Sequence, residues 1–239
     1  MERTLYLLIF FSLFHPVASH AQSHEEIYEA YVLDEMHRWK AVLDGYAGRS
    51  NLSLGDQLEY LEYLYGYIAW CVGNDRDDEA SGHLDEAFEI ADYLESKSYS
   101  LSNIYAYKAA FYGYKIGLAP YKAPFYGPKS KSYAQKAIDT DSKNPLAYTQ
   151  LANMQFYMPP AFGGSKEEAI KYYQIALAFL ETEKKTERNW NYLSLLATMG
   201  QAYEKIGNLS KAKSVYVKAL ETDSRFKWVK NELLPNIEK

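Results

Sequence analysis

The sequence predicts an all-α protein, an α-α superhelix in which antiparallel helical hairpins stack as a solenoid, and two observations carry that prediction. The first is the 34-residue stretch from Leu193 to Phe226, which divides into two apolar-periodic segments on either side of Gly207. Gly200 and Tyr203 stand three apart before the turn, and Ala212, Tyr216 and Ala219 follow at steps of four and three, on one helical face. Small residues at Gly200, Ala212 and Ala219 let two helices approach closely, while Tyr203 and Tyr216 fill the space beside them. The second observation is recurrence. Tyr148, Leu151 and Ala152, then Ala169, Tyr173 and Ala176, repeat these intervals upstream, and repetition at a fixed period is the mark of stacked repeats.

The elements follow in chain order. Residues 1–21 carry Arg3, an apolar core from Leu5 to Phe14, a helix-breaking Pro16 and Ser19-His20-Ala21, the pattern of a secretory signal peptide cut after Ala21. The apolar core is too short to span a bilayer. No Cys follows the cleavage site, which argues against a lipid anchor. The expectation is an exported chain, periplasmic or secreted, without stable membrane insertion after cleavage, whose residues 22–239 form one helical solenoid domain. Cys71 is the only cysteine, so no internal disulfide forms, and its apolar neighbours predict a buried, inert thiol.

From Glu25 to Leu43, apolar residues at helical steps predict a first helix with no repeat signature. Ser53 starts a second helix, and its partner from about Asp78 to Glu95 places Ala80, Leu84 and Ala87 at the four-and-three spacing, so residues 53–95 read as a degenerate repeat. A second degenerate repeat covers 101–142. Its first helix, Leu101 to Leu118, is apolar nearly all round and belongs in the middle of the stack. The stretch Ala119 to Lys129 is too rich in Pro and Gly to continue a helix, which resumes near Ser130. The clear repeats occupy 145–182 and 193–226. Between Ala152 and Gly164 the count is twelve, against seven between Gly200 and Gly207, so five extra residues lie in the earlier turn. Ser165 with Glu167 and Glu168 behind it reads as a helix start. Residues 225–236 supply a capping helix with Phe226, Trp228, Val229, Leu233 and Leu234 facing the last hairpin.

The spacing of Gly200, Tyr203, Ala212, Tyr216 and Ala219 resembles the tetratricopeptide repeat, a helix–turn–helix unit of this length; Ser224 departs from the family, which usually has Pro there. The stretches YGYIAWCVG, YKAPFYGPKS and FYMPPAFGGSKEEAIKYY are together similar to a group of exported tetratricopeptide-repeat proteins of Bacteroidetes type. That resemblance implies an envelope repeat protein and brings no catalytic residues. A looser similarity, in the Phe-Gly-Gly turn style, is to repeat-containing periplasmic components of some tripartite transporters.

Catalytic chemistry finds no constellation to rest on. Of five His, two lie in the leader, His24 is near its end, and His37 and His83 stand alone without metal-ligand spacing. Gly127-Pro128-Lys129-Ser130 and Gly163-Gly164-Ser165-Lys166 lack both the phosphate-loop frame and a preceding strand. No cofactor and no metal are expected. The net charge of −5 without a basic run argues against nucleic acid and anionic membrane surfaces as partners.

The expected functional surface is therefore geometric: the concave side of the solenoid, lined by the first helix of each hairpin. Inward positions in the clear repeats are Thr149, Asn153 and Phe156, then Ala197, Gln201 and Glu204. Extending the phase backwards adds Tyr107, Phe111 and Tyr114, then Tyr63, Tyr67 and Trp70. These residues make an aromatic stripe that turns polar toward the carboxyl end, a groove for a peptide, or else they are core. The Pro-aromatic-Gly turns Pro124-Phe125-Tyr126-Gly127 and Pro160-Ala161-Phe162-Gly163 are expected to pack together on one edge. The leading expectation is a non-enzymatic exported scaffold that binds a protein or peptide. The alternative is a periplasmic transport accessory that holds a small ligand or docks a solute-binding protein. The unassigned first helix leaves a homodimer open.

Overall fold

A computed structural model describes residues 20–238. The expected leader lies outside them, apart from His20 and Ala21 at the start of α1. Eleven α-helices follow one another with no strand among the described residues: α1 (His20–Val32), α2 (Met36–Ala47), α3 (Leu54–Gly73), α4 (Asp77–Ser96), α5 (Leu101–Leu118), α6 (Ala123–Thr140), α7 (Pro145–Tyr157), α8 (Lys166–Thr182), α9 (Trp190–Lys205), α10 (Leu209–Thr222) and α11 (Leu234–Ile237). A π-helical segment, Val229–Leu233, leads into α11. The chain is all-α and of tetratricopeptide-like hairpin architecture.

Side-chain caps set several helix starts. Ser53 and Asp56 form a reciprocal capping box at α3. The Asn144 side chain accepts from the amides of Leu146 and Ala147, ahead of Pro145 at the first helical position of α7. Ser165 accepts from the Glu168 amide at α8, and Asn189 and Asn208 do the same at α9 and α10. Between α9 and α10, Gly207 has φ +76°, a conformation that glycine adopts without strain. Close approach explains Gly200: a Cβ there would stand 2.2 Å from the Tyr216 ring.

Two elements differ from the sequence expectation. The predicted first helix over Glu25–Leu43 is two helices, broken at Asp34, whose φ is +51°. The break is held by the Glu35 amide donating to the Ala30 carbonyl and by Arg38, which pairs with Glu26 and Glu35. Apolar periodicity continues across the break and conceals it. The predicted loop Ala119–Lys129 is instead a 3-10 turn, Pro120–Lys122, followed at once by α6. Pro124 falls in the first turn of α6, where its missing N–H has no partner to lose, and Pro128 is accommodated inside the helix.

The hairpins α3–α4, α5–α6, α7–α8 and α9–α10 stack so that α5 packs against both α3 and α7. Ala80, Ala87, Ala134, Ala137, Ala169, Ala176, Ala212 and Ala219 are all fully buried at the helix contacts. The stack also closes on itself, because α1 packs on α9. Trp39 of α2 meets Trp190 edge to face at 4.9 Å, and Tyr31 of α1 lies 5.3 Å from Phe226. Outside this aromatic contact, the Tyr28 hydroxyl donates to Asp223 at 3.1 Å, and Arg188 and Arg225 both pair with Glu29.

Candidate functional site

Closure changes what the inner face can offer. Tyr63, Tyr67, Tyr107 and Phe111, expected to line a groove, are core side chains. Tyr63 packs edge-on against Tyr46 and its hydroxyl donates to Glu59 at 2.5 Å. Tyr67 donates to Glu79 at 2.9 Å. Phe111 lies between Phe88 and Tyr107. The physical reason is direction: Tyr63 faces Tyr46 of α2, and Tyr67 and Phe111 face His83 and Phe88 of α4, so these rings fill the space between helices rather than an open groove.

The remaining inward residues are half-buried or nearly buried, and most carry structural bonds. Trp70 rests beside Tyr67 with the Arg76 guanidinium 5.3 Å over its ring. The Thr149 hydroxyl donates to the Pro145 carbonyl of its own helix. Asn153 accepts from the Tyr173 hydroxyl at 2.7 Å, and Glu204 accepts from Tyr216 at 3.4 Å. Phe156 is almost buried, with Lys166 bonded to its carbonyl and 5.3 Å over its ring. Gln201 is half-buried on α9, while Ala197 is fully buried.

What the inner face does hold is an array of tyrosines contributed by helices far apart in sequence. Tyr65 of α3 accepts from Gln150 of α7 at 3.1 Å and lies 5.5 Å from Tyr107. The Tyr114 hydroxyl of α5 donates to the Tyr65 carbonyl at 3.2 Å, and the two rings stack at 6.0 Å. Tyr31 of α1 lies 5.8 Å from Trp190 of α9. Burial pushes the Tyr31, Tyr65, Tyr107 and Tyr114 hydroxyls above the ordinary tyrosine range, so they remain neutral donors. The Trp190 indole N–H, beside Tyr31 and Tyr65, is buried without a hydrogen-bond partner.

Two members of this face were not visible in the sequence. Glu62 of α3 accepts from Asn191 of α9 at 2.9 Å, and burial, with Glu59 nearby, raises its carboxyl to about 7. Tyr157, the last residue of α7, is 71% exposed. Its ring meets Phe156 edge-on at 4.8 Å, and it follows Asn153 by about one helical turn on α7. The signal for Tyr157 was its place just before Met158-Pro159-Pro160, where no following turn of helix can cover it.

The expected contact between the two Pro-aromatic-Gly turns is not formed: among the described residues no ring of one meets a ring of the other, and Phe125 and Phe162 are 73% and 77% exposed. Cys71 is fully buried and its thiol is pushed up to about 12, chiefly by burial. Among the described residues no three His, Cys, Asp or Glu side chains gather as metal ligands, and no helix is long and apolar enough to cross a membrane.

A family model described as tetratricopeptide repeat matches residues 193–226, the hairpin α9–α10. This chain carries a tetratricopeptide repeat. Among solved structures, the HusA haemophore from Porphyromonas gingivalis has a similar fold, with 18% sequence identity over 86% of this chain and 94% of that chain, at a TM-score of 0.56. That likeness concerns the fold alone. No curated protein matches the sequence.

Proposed function

We propose that the chain is an exported, non-catalytic binding scaffold that takes a segment of a protein or peptide partner at the open edge of its tyrosine array. The observation that carries this reading is Tyr157, a large ring left 71% exposed at the end of the helix whose Gln150 and Asn153 carboxamides bond the Tyr65 and Tyr173 hydroxyls. Rings of this kind contribute large contact area at low entropic cost, and hydroxyls and carboxamides orient a peptide backbone. The open concave groove expected from the sequence is thereby narrowed to a mouth near Tyr157, Tyr114 and Asn153. Export rests on the leader pattern of residues 1–21. A non-enzymatic role is supported by the commitment of Glu204, Asn153 and Thr149 to structural hydrogen bonds.

Substitution of Tyr157 by Ala tests the reading. Because the ring is exposed, the melting temperature is expected to stay within about a degree of wild type. Capture of partner from an envelope fraction is expected to fall about tenfold or more, the range of an aromatic anchor. Unchanged capture would overturn the site. A second reading, a flat apolar ligand of the haem type, is favoured by the fold shared with a haemophore and by the stacked rings of Tyr65 and Tyr114. A haemin titration that saturates at one equivalent and is lost in Tyr157→Ala would replace the peptide with that ligand.

A further inference from the structure

The net charge of −5 is an average that hides one hairpin. Residues 101–138, which form α5 and nearly all of α6, contain six lysines and neither Asp nor Glu. Five of them, Lys108, Lys115, Lys122, Lys129 and Lys136, recur at a constant step of seven, which keeps them on one side of each helix without ever forming a run. Lys108 is buried and taken up by Asp92 and Glu95 of α4. The other four make no ion pair among the described residues.

A row of tyrosines holds these lysines in place. Tyr105, Tyr133, Tyr112 and Tyr126 interleave from α5 and α6 at centroid separations of 6.0, 5.7 and 5.8 Å. Lys136 lies 5.1 Å over Tyr133, Lys129 5.4 Å over Tyr112, and Lys115 6.0 Å over Tyr126. At the tip of the hairpin the pattern changes. Tyr121 and Phe125 are 77% and 73% exposed among the described residues and are flanked by Lys122 and Lys129. The turn between α7 and α8 presents Phe162 in the same exposed manner, and α5 and α7 pack side by side.

We infer that this tip docks on an anionic phospholipid surface, with Tyr121 and Phe125 entering the boundary between headgroups and acyl chains and Lys122 and Lys129 reaching the phosphates. Apolar rings with lysines set just behind them are what an interface of that composition favours, because the rings leave water while the ammonium groups stay wet. The shape agrees. The rings project from a convex tip, whereas a peptide would need a groove. Behind them a shallow surface depression is lined by Tyr112, Pro128, Lys129, Ser132, Tyr133 and Lys136, where a phosphate-bearing headgroup would meet two lysines. A single-stranded nucleic acid would stack successive bases on a run of free ring faces, whereas the row from Tyr105 to Tyr126 is taken up by its own ring contacts beneath its lysines and the open rings, Tyr121 and Phe125, stand apart from it at the tip.

Co-sedimentation of the purified chain with vesicles tests this directly. Vesicles of equal parts phosphatidylglycerol and phosphatidylcholine are expected to pull down the chain at least about tenfold better than phosphatidylcholine alone, with the difference lost at high salt. Tyr121→Ser with Phe125→Ser, and separately Lys122→Gln with Lys129→Gln, are each expected to reduce that binding about fivefold or more while thermal melting is unchanged, since all four side chains lie at the surface. Equal binding to both vesicle types, binding that survives the Ser pair, or no binding at all would overturn the inference. So would release from the vesicles by a single-stranded oligonucleotide whose own binding ignores the Ser pair, because the surface would then be a general polyanion site.

Discussion

Among the described residues, Glu62 is the carboxyl that burial raises into the neutral range, and its consequence can be worked out in sign. Its ordinary value is 4.5 and its folded value about 7, raised by burial among Tyr65, Tyr107 and Glu59, with the Asn191 bond opposing. The folded state therefore holds a proton that the unfolded state releases between those values, so stability falls as pH rises through that window. Glu26, Glu79, Glu86 and Asp223 are lowered instead, and their contribution is lost only below the ordinary carboxylate range. The melting temperature is expected to drop by a few degrees between about pH 5 and pH 7.5. Glu62→Gln should remove most of that slope and raise the melting temperature at the upper end, because it supplies the neutral side chain permanently. The pairing of His83 with Glu86 at 3.6 Å is common to both proteins and cancels in the comparison. A variant with an undiminished slope would show that the pH dependence lies elsewhere.

Caps that look alike in sequence do unequal work in the elements they start. Asn208 begins α10 with a single exposed bond to the Lys211 amide at 3.2 Å. Asn144 caps α7 through two amides and also donates to Ser102 at 2.7 Å and Asn103 at 2.8 Å, so it ties α7 to the start of α5. It is buried, and its loss leaves partners unpaired away from water. Urea unfolding of Asn144→Ala is expected to show a loss of about 2–3 kcal/mol, against about 1 kcal/mol for Asn208→Ala. Local signals of this type were readable in advance: Ser53, Ser165 and Gly207 mark element ends by their own chemistry. Asp34 was not readable, because a left-handed aspartate interrupts no apolar period. The start of α6 was hidden for the opposite reason, since Pro124 breaks a helix interior but not a first turn. The inner face was least legible. Whether Tyr63 or Tyr114 meets solvent depends on which neighbouring helix covers it, Tyr46 of α2 for the one and Tyr65 of α3 for the other, which the spacing within one repeat does not encode, and the pairing of Glu62 with Asn191 joins helices 129 residues apart.

Stacked repeats ordinarily touch only their neighbours, so their stability is a sum of local terms and their cooperativity can break down along the array. Here the ends meet. Tyr31 lies within 6.2 Å of Trp39, 5.8 Å of Trp190 and 5.3 Å of Phe226, so the α1–α2 hairpin seals against the last repeat and the capping segment. The ion pairs of Arg188 and Arg225 with Glu29 ring this seal, but exposed pairs contribute little. Aromatic burial is the larger share, and it couples the first hairpin to the last. If residues 22–239 act as one domain, unfolding of the wild-type chain should give superimposable transitions by far-ultraviolet and near-ultraviolet circular dichroism. Tyr31→Ala opens the seal without touching contacts between adjacent hairpins, so the two probes are expected to separate, the aromatic signal melting first. Phe88→Ala serves as the control. It removes contacts of Phe88 with Phe111 and Tyr112 inside the stack and should lower stability while leaving the transitions coincident. Coincident transitions in Tyr31→Ala would mean that neighbour-to-neighbour packing alone makes the chain cooperative, and that closure merely shapes the tyrosine face.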